Sequence, residues 1–366
     1  MSDAAPALVG RRPILVTGGA GFIGSNLADR LARDGHDVLV YDALARPGVD
    51  RNLAWLTERH PRRISAVIAD VRSENELAAA ARDASAVFHM AAQVAVTTSL
   101  VDPVSDFEIN VKATLALLEA LRSRPEPAPL IFASTNKVYG DLADVGLELT
   151  NDAYLPVDAA VRQNGIGESR PLDFHTPYGC SKGAADQYVL DYARSFDVPT
   201  SVIRMSCIYG QRQMGTEDQG WVAHFAIRAI EGQPISIYGD GSQVRDVLDV
   251  SDAVAAYVAA LRHIRAISGR AFNLGGGAQN AISLRHLIAH LSDLTDREVE
   301  ANYSDWRPGD QRYFVADSRS IRTALGLGTP VGWRQGVANL VAWLRAERGI
   351  PAEIAAKRPM RVGALS

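Results

Sequence analysis

Along the first half of this chain, short apolar runs alternate with longer stretches of helical period. Pro13-Ile14-Leu15-Val16-Thr17 is one such run, and a helical pattern follows it to about Asp34. Asp37–Asp42 reads as a second strand, Arg63–Ala69 as a third, Ala86–Ala91 as a fourth and Leu130–Ala133 as a fifth. Helical patterns lie between them near Glu74–Arg82 and Asp106–Arg122. Further on, Pro177 suits the first turn of a helix that keeps its period to about Phe196. Pro199–Ser206, Ile235–Tyr238 and Ala271–Leu274 read as strands, and Ser251–Arg262 as a helix with Ser251 as its N-cap. Strand and helix units of this length imply a parallel sheet with helices on both faces, an α/β fold of the doubly wound Rossmann type. The later elements imply a smaller C-terminal α/β domain.

Composition narrows the class. The 366 residues, 47% hydrophobic with a formal net charge of -4, allow two domains or one α/β unit with a large insertion. The slight acidity and the lack of a Lys/Arg run speak against a nucleic-acid partner. No apolar run approaches membrane-spanning length, and Met1–Arg12 lacks the order of a signal peptide, so no membrane is expected. Two cysteines, Cys180 and Cys207, read as reduced thiols in a cytoplasmic protein, and no spacing suggests a metal. His286 and His290 share a helix face but lack an acidic third ligand.

Candidate chemistry collects where the strands end. Gly18, Gly21 and Gly24 follow the first strand three apart, where glycine lets the backbone turn tightly and approach a pyrophosphate. The anion would then face the helix N-terminus. Asp42 closes the second strand about twenty residues on, where a carboxylate accepts from an adenosine ribose. It also repels a 2′-phosphate, favouring NAD over NADP, although Arg46 is near enough to accommodate that phosphate. Asp70, Ala91, Gln93, Ser134 and Thr135 fall at or just past other strand ends, and His89 reads as a buried, hydrogen-bonded histidine.

Tyr178 and Lys182 are four apart and share a helix face. A phenolate at neutral pH needs roughly 4 kcal/mol of help. One ammonium at ~5 Å, at an effective dielectric of ~20, supplies roughly 3 kcal/mol. A positively charged nicotinamide would supply the remainder.

Together the glycine turn, Asp42, Asp70-Val71, His89-Met90-Ala91-Ala92, Ser134-Thr135 and Tyr178-x-x-x-Lys182 resemble the extended short-chain dehydrogenase/reductases. Ala43 departs from the Asn that many relatives carry there. Ser134–Gly140 resembles the nucleotide-sugar branch, whose 4,6-dehydratases carry Asp-Glu where this chain has Asn136-Lys137. An amide cannot protonate a departing hydroxyl, and a lysine would need a much altered pKa, so elimination is disfavoured. Gln93–Ser99, Leu172–Tyr188, Asp218–Trp221 and Gln243–Leu248 are similar to the CDP-paratose 2-epimerase (CDP-tyvelose epimerase) group.

That resemblance implies an NAD-dependent epimerase acting on a CDP-linked nucleotide-diphosphate sugar, with a UDP-sugar 4-epimerase as the alternative. A non-catalytic NAD sensor or scaffold is the reading from another class, against which the full Thr135, Tyr178, Lys182 set speaks. It implies that Thr135 binds the reacting sugar oxygen, Tyr178 is the acid/base, and Lys182 holds the nicotinamide ribose and lowers the phenol's pKa. The cofactor would lie along Gly18, Gly21, Phe22, Ile23, Gly24, Asp42, Asp70, Val71, Ala91, Gln93, Tyr178 and Lys182. The substrate would meet Gln93, Thr135, Asn136, Ser206, Arg245 and Arg307, the two arginines clamping its diphosphate. Carbon 2 of the bound sugar is not acidified by a carbonyl, so transient oxidation and hydride return to the opposite face is the expected route. Carbon 2 rather than carbon 4 comes from the resemblance alone. Residues 11–210, completed by roughly 247–276, are expected to bind NAD; 211–246 and 277–350 the nucleotide sugar. Residues 1–10 and 357–366 are expected as tails. A homodimer or homotetramer is implied by the family.

Overall fold

A computed structural model describes residues 12–307 and 309–350. The expected tails, and Pro308 of the late loop, lie outside the described residues. Seven strands form the main sheet: β1 (Ile14–Thr17), β2 (Val38–Asp42), β3 (Ile64–Ile68), β4 (Ala86–His89), β5 (Leu130–Thr135), β6 (Thr200–Met205) and β7 (Arg270–Leu274). Their spatial order is β7-β6-β5-β4-β1-β2-β3, parallel throughout. The order reverses between β1 and β4, and sheets of this type form their ligand crevice at that switch point, beyond the strands' carboxyl ends.

The strands are apolar nearly end to end because both faces are covered. Leu15, Val87, Phe132 and Val202 face Leu117, Leu118, Val189 and Tyr192 on one side. Val16, Phe88, Ile131 and Ile203 face Leu27, Leu31, Val254 and Tyr257 on the other. Each large aliphatic side chain buried this way contributes about 1.5–3 kcal/mol.

Two helices border the crevice: α1 (Phe22–Arg33) after β1, and α2 (Thr176–Phe196) before β6. Two expected helices differ in detail. Val250–Arg262 is capped by Asp249, whose carboxylate accepts from the Ser251 N–H at 2.8 Å; Ser251 is not the cap. The expected helix over 106–122 starts at Pro103 and is interrupted by a π-turn over Glu108–Lys112 before resuming at Ala113–Arg122.

The later chain builds a second cluster beside the sheet. Strand Val244–Asp249 pairs in parallel with Cys207–Tyr209 and Tyr313–Phe314 and antiparallel with Ala281–Ser283. Helices Trp221–Glu231, Leu284–Thr295 and Trp333–Glu347 pack around Phe225, Leu287, Leu291, Val337 and Leu340. Among the described residues, no helix is long and apolar enough to cross a membrane.

Candidate active site

The glycine turn is shaped by close contact. Gly18 sits at φ 66°, and a Cβ there would lie 2.7 Å from the Ala91 nitrogen. A Cβ on Gly24 would fall on the Gly18 carbonyl and within 2.8 Å of Gly19 Cα. At Gly21 a Cβ would meet only the Gly18 carbonyl, at 3.1 Å, so this side of the turn is open. Gly21 is the N-cap of α1, and helix geometry leaves the first N–H groups, those of Phe22, Ile23 and Gly24, without intrahelical acceptors. Open backbone, free donors and the helix dipole together fit a pyrophosphate. Asp42 Oδ2 accepts from the Ala20 N–H at 3.0 Å and Oδ1 from Leu44 at 2.9 Å, so the strand-end acid also braces the turn.

Farther along the sheet edge, Asp70 is chelated by Arg72 at 3.0 and 2.7 Å, which holds its pKa below the usual carboxylate range. Val71 beside it is buried. Ala91 N–H donates to Thr17 Oγ1 at 3.3 Å. His89 is buried between Thr17 (2.6 Å) and Thr114 (3.0 Å), and burial, aided by Lys182, pushes its pKa down to about 3. Gln93 folds back on its own loop: its amide exchanges hydrogen bonds with Ala95 and donates to Asp106 at 3.1 Å.

Thr135, Tyr178 and Lys182 converge at the end of β5 and the first turns of α2. The Thr135 hydroxyl reaches the Tyr178 phenol, and Lys182 Nζ lies 4.1 Å from the Phe132 ring centroid. The electrostatics correct the simple expectation that the ammonium depresses the phenol. Burial pushes Tyr178 up to about 12; Thr135 and Arg46 pull it down and Asp106 pushes it up. Burial drags Lys182 down to about 7, with Asp186 and Asp106 opposing the fall. Both charged forms are penalised because both groups are enclosed. Reaching a phenolate therefore needs positive charge brought into the pocket. Arg46, expected near the adenosine, has its guanidinium close enough to act on Tyr178.

Of the remaining substrate candidates, Asn136 lies on the turn after β5, and Ser206, Arg245 and Arg307 lie in the later chain. Asn136 donates to Gln311 Oε1 at 3.0 Å, and Gln311 donates on to the Gly140 carbonyl at 2.5 Å. Ser206 gives its hydroxyl to the buried Asp246. Arg245 pairs with Asp310 at 3.0 Å. Arg307 stacks over Tyr238, 3.7 Å from its centroid, and pairs with Glu217 at 3.4 Å. Each of the two arginines thus already faces a carboxylate. Lys137 has an altered pKa that no local sequence pattern signals: burial and Arg245 push it down to about 8.

Several residues here escaped sequence reasoning. Asp106 and Asn110 flank the start of the π-turn; both are buried, with Asn110 donating to Ser181 Oγ at 3.0 Å and to Asp106 at 3.2 Å. Asp186 pairs with Arg204 by two bonds of 2.9 Å and accepts from Ser134 at 2.8 Å. The available signal was a polar stripe, Ser181, Lys182 and Asp186, on the face of α2 that also carries Val189 and Tyr192. Asp141, Asp173 and His175 bring ligand-type atoms within 4.8 Å of one another at the surface, where His175 bonds Asp173 at 3.0 Å. His290 packs its ring on Trp333, and His286 is exposed.

A glycine-braced anion site, a strand-end acid and a Thr-Tyr-Lys cluster on one crevice define a dinucleotide-dependent enzyme class, and the chain belongs to the NAD dependent epimerase/dehydratase family, whose model matches residues 14–275. It is 44% identical over 337 residues to a CDP-paratose 2-epimerase of Salmonella typhi, covering 90% of this chain and 98% of that protein. It is 32% identical to a UDP-glucose 4-epimerase of Mycolicibacterium smegmatis, over 90% of this chain and 98% of that one. Among solved structures, the UDP-glucose 4-epimerase of Thermus thermophilus in complex with NAD superposes with a TM-score of 0.75 at 30% identity, covering 91% of this chain and 99% of the other.

Proposed function

We propose that this protein is an NAD-dependent nucleotide-sugar epimerase that inverts carbon 2 of a CDP-linked sugar. The observation that carries the reading is the buried Tyr178 beside Thr135 at the end of β5, with Lys182 one turn further along α2, in a chain 44% identical to a CDP-paratose 2-epimerase. The Gly18–Gly24 turn, Asp42, Asp70, Val71, Ala91 and Gln93 are assigned to holding NAD, which when bound supplies a reversible hydride acceptor. Residues 11–210 with 247–276 form its domain in this reading, and 211–246 with 277–350 the sugar's.

Tyr178 takes the proton of the sugar hydroxyl as the carbonyl forms and returns it after the sugar has turned over. Thr135 aligns that hydroxyl, Lys182 holds the nicotinamide ribose, and the positive charge of bound NAD would favour the phenolate. Asn136, Gln93 and Ser206 border the sugar. Arg245 and Arg307 grip the diphosphate, exchanging their carboxylate partners for phosphate oxygens, an exchange in which planar guanidinium forks lose little geometry. Asn136 and Lys137 stand where the 4,6-dehydratases carry their Asp-Glu pair, and an amide cannot donate the proton that elimination requires.

Substrate deuterated at carbon 2 should give epimer that keeps its label, with no net NADH. Washout of the label into water would refute the hydride route. The UDP-glucose 4-epimerases among the relatives favour a second reading, inversion at carbon 4, which would give a different product and slow on deuteration at carbon 4. A homodimer or homotetramer is supported by exposed Leu100, Val101, Val104 and Phe107 with Tyr188 and Phe196 of α2, and sedimentation tests it. Two free thiols, Cys180 and Cys207, suit a cytoplasmic location.

A further inference from the structure

Lys137 is a charged side chain beside Thr135 that the proposed reaction leaves unused. It sits two residues past Thr135, on the turn Asn136–Tyr139, and its backbone N–H donates to Thr135 Oγ1 at 3.2 Å. Its ammonium donates to the Gly309 carbonyl at 3.0 Å, the one hydrogen bond it makes among the described residues. Two of its three protons are therefore uncommitted. Three charged or titratable groups face it from other elements: Arg245 of the Val244–Asp249 strand, Asp310 of the late loop and Cys207 of the Cys207–Tyr209 strand. Two cations thus share one carboxylate, Asp310, which already accepts from Arg245 at 3.0 Å.

An excess of buried positive charge is unfavourable until an anion joins it. Lys137 is enclosed by protein yet keeps a partly exposed surface, the situation of a side chain at the bottom of a crevice. On one side stands Thr135, assigned to the reacting sugar hydroxyl; on the other stands Arg245, assigned to the diphosphate. A sugar that turns over while its nucleotide stays put needs its firmest grip on the last group that does not turn. That group is the phosphate bonded to the sugar.

Resting on the nucleotide-sugar reading, we propose that Lys137 is a substrate-binding residue that holds, together with Arg245, the phosphate adjoining the sugar. Burial and the Arg245 charge, which hold the free ammonium near a pKa of about 8, make its grip pH-dependent: strong where the lysine is charged and lost as pH rises through that value.

The test is titration of the full-length protein with CDP and UDP, which carry that phosphate, and with CMP and UMP, which lack it. Lys137→Met should bind the diphosphates about 10- to 100-fold more weakly, the loss of one charge-assisted hydrogen bond, and the monophosphates within about threefold of wild type. Lys137→Arg should recover most of the loss. Wild-type affinity for the diphosphates should fall above pH 8, and that of Lys137→Arg should not. Equal losses for both nucleotide classes would make Lys137 a mere strap for Gly309 and overturn the assignment, as would no loss at all. If Lys137→Met does not fold, the pH dependence of wild type against Lys137→Arg decides the matter, and identical slopes refute the proposal. Wild-type protein that binds none of the four nucleotides would instead refute the nucleotide-sugar reading, and the role of Lys137 with it.

Discussion

Asp186→Asn tests how the catalytic helix is held. The carboxylate is fully buried on α2, takes both Arg204 bonds at 2.9 Å, and accepts from Ser134 at 2.8 Å and Gln187 at 2.9 Å. Arg204, 5% exposed, also donates to the Tyr139 hydroxyl at 3.1 Å. The asparagine keeps the shape but strands a buried guanidinium and points an amide at its N–H groups. Breaking a buried pair from one side costs about 3–5 kcal/mol. At roughly 1–2 °C per kcal/mol for a chain of this length, melting should fall by roughly 5 °C. Removing both charges, with Asp186→Leu and Arg204→Met together, should cost less than either change alone, because no buried charge is left unpaired. Thermal and urea denaturation of Asp186→Leu, Arg204→Met and the double variant complete the cycle. Because Asp186 also opposes the fall of the Lys182 pKa, the asparagine variant should carry a less basic Lys182 and retain NAD less well at neutral pH. A single variant within 1 kcal/mol of wild type, by the ~1 kcal/mol scale of ordinary substitutions, would refute this account. So would a double variant whose loss equals the sum of the singles.

Three further outcomes are expected. Tyr178→Phe should fold and keep NAD but lose roughly 10²- to 10⁴-fold in turnover, and near-normal rates would remove the phenol from the chemistry. Gly24→Ala should lose NAD, since its methyl would fall on the Gly18 carbonyl, and equilibrium dialysis against the dinucleotide checks this. Asp246 is raised to about 6 by burial, so the fold prefers its neutral form. Its stabilising contribution is full below the ordinary carboxylate pKa of about 4 and is lost as pH rises through 6. Urea midpoints should therefore decline from this group between about pH 4 and pH 6.5, and Asp246→Asn should flatten that slope.

Much of the architecture was legible because its signals are local. The glycine spacing, the apolar strand runs and the Tyr178–Lys182 helix face each follow from a short window. The cap was missed because Asp249-Val250-Ser251 offers two capping residues two apart, and only the backbone at Asp249 decides between them. The helix over 106–122 reads as unbroken because no Gly or Pro marks the π-turn, whose Asn110 turns inward toward Ser181 of α2, over seventy positions away. The hairpin Leu147–Pro156 turns on Asn151-Asp152 at φ 47° and 64°, a pair of residue types that tolerates the left-handed region and marks such a turn in the sequence. The expected depression of the phenol failed for a different reason: it assigned Lys182 a full charge in a polar medium, and burial is a property of the assembled fold. Lys137 escaped for the same reason, since Arg245 and Asp310 reach it only through the tertiary structure.

The sheet's order has a consequence for biogenesis. β7, which covers the outer edge of β6, begins about 65 residues after β6 ends, beyond the strand and helices that start the sugar-side cluster. At a synthesis rate of about 5–20 residues per second, the edge of β6 waits roughly 3–13 s for its partner. Throughout that interval a nascent chain exposes Val202 and Ile203 on an unpaired edge, an invitation to pair with a neighbouring chain on the same messenger. Slow codons between residues 206 and 270 should therefore lower soluble yield, while leaving the purified enzyme unchanged.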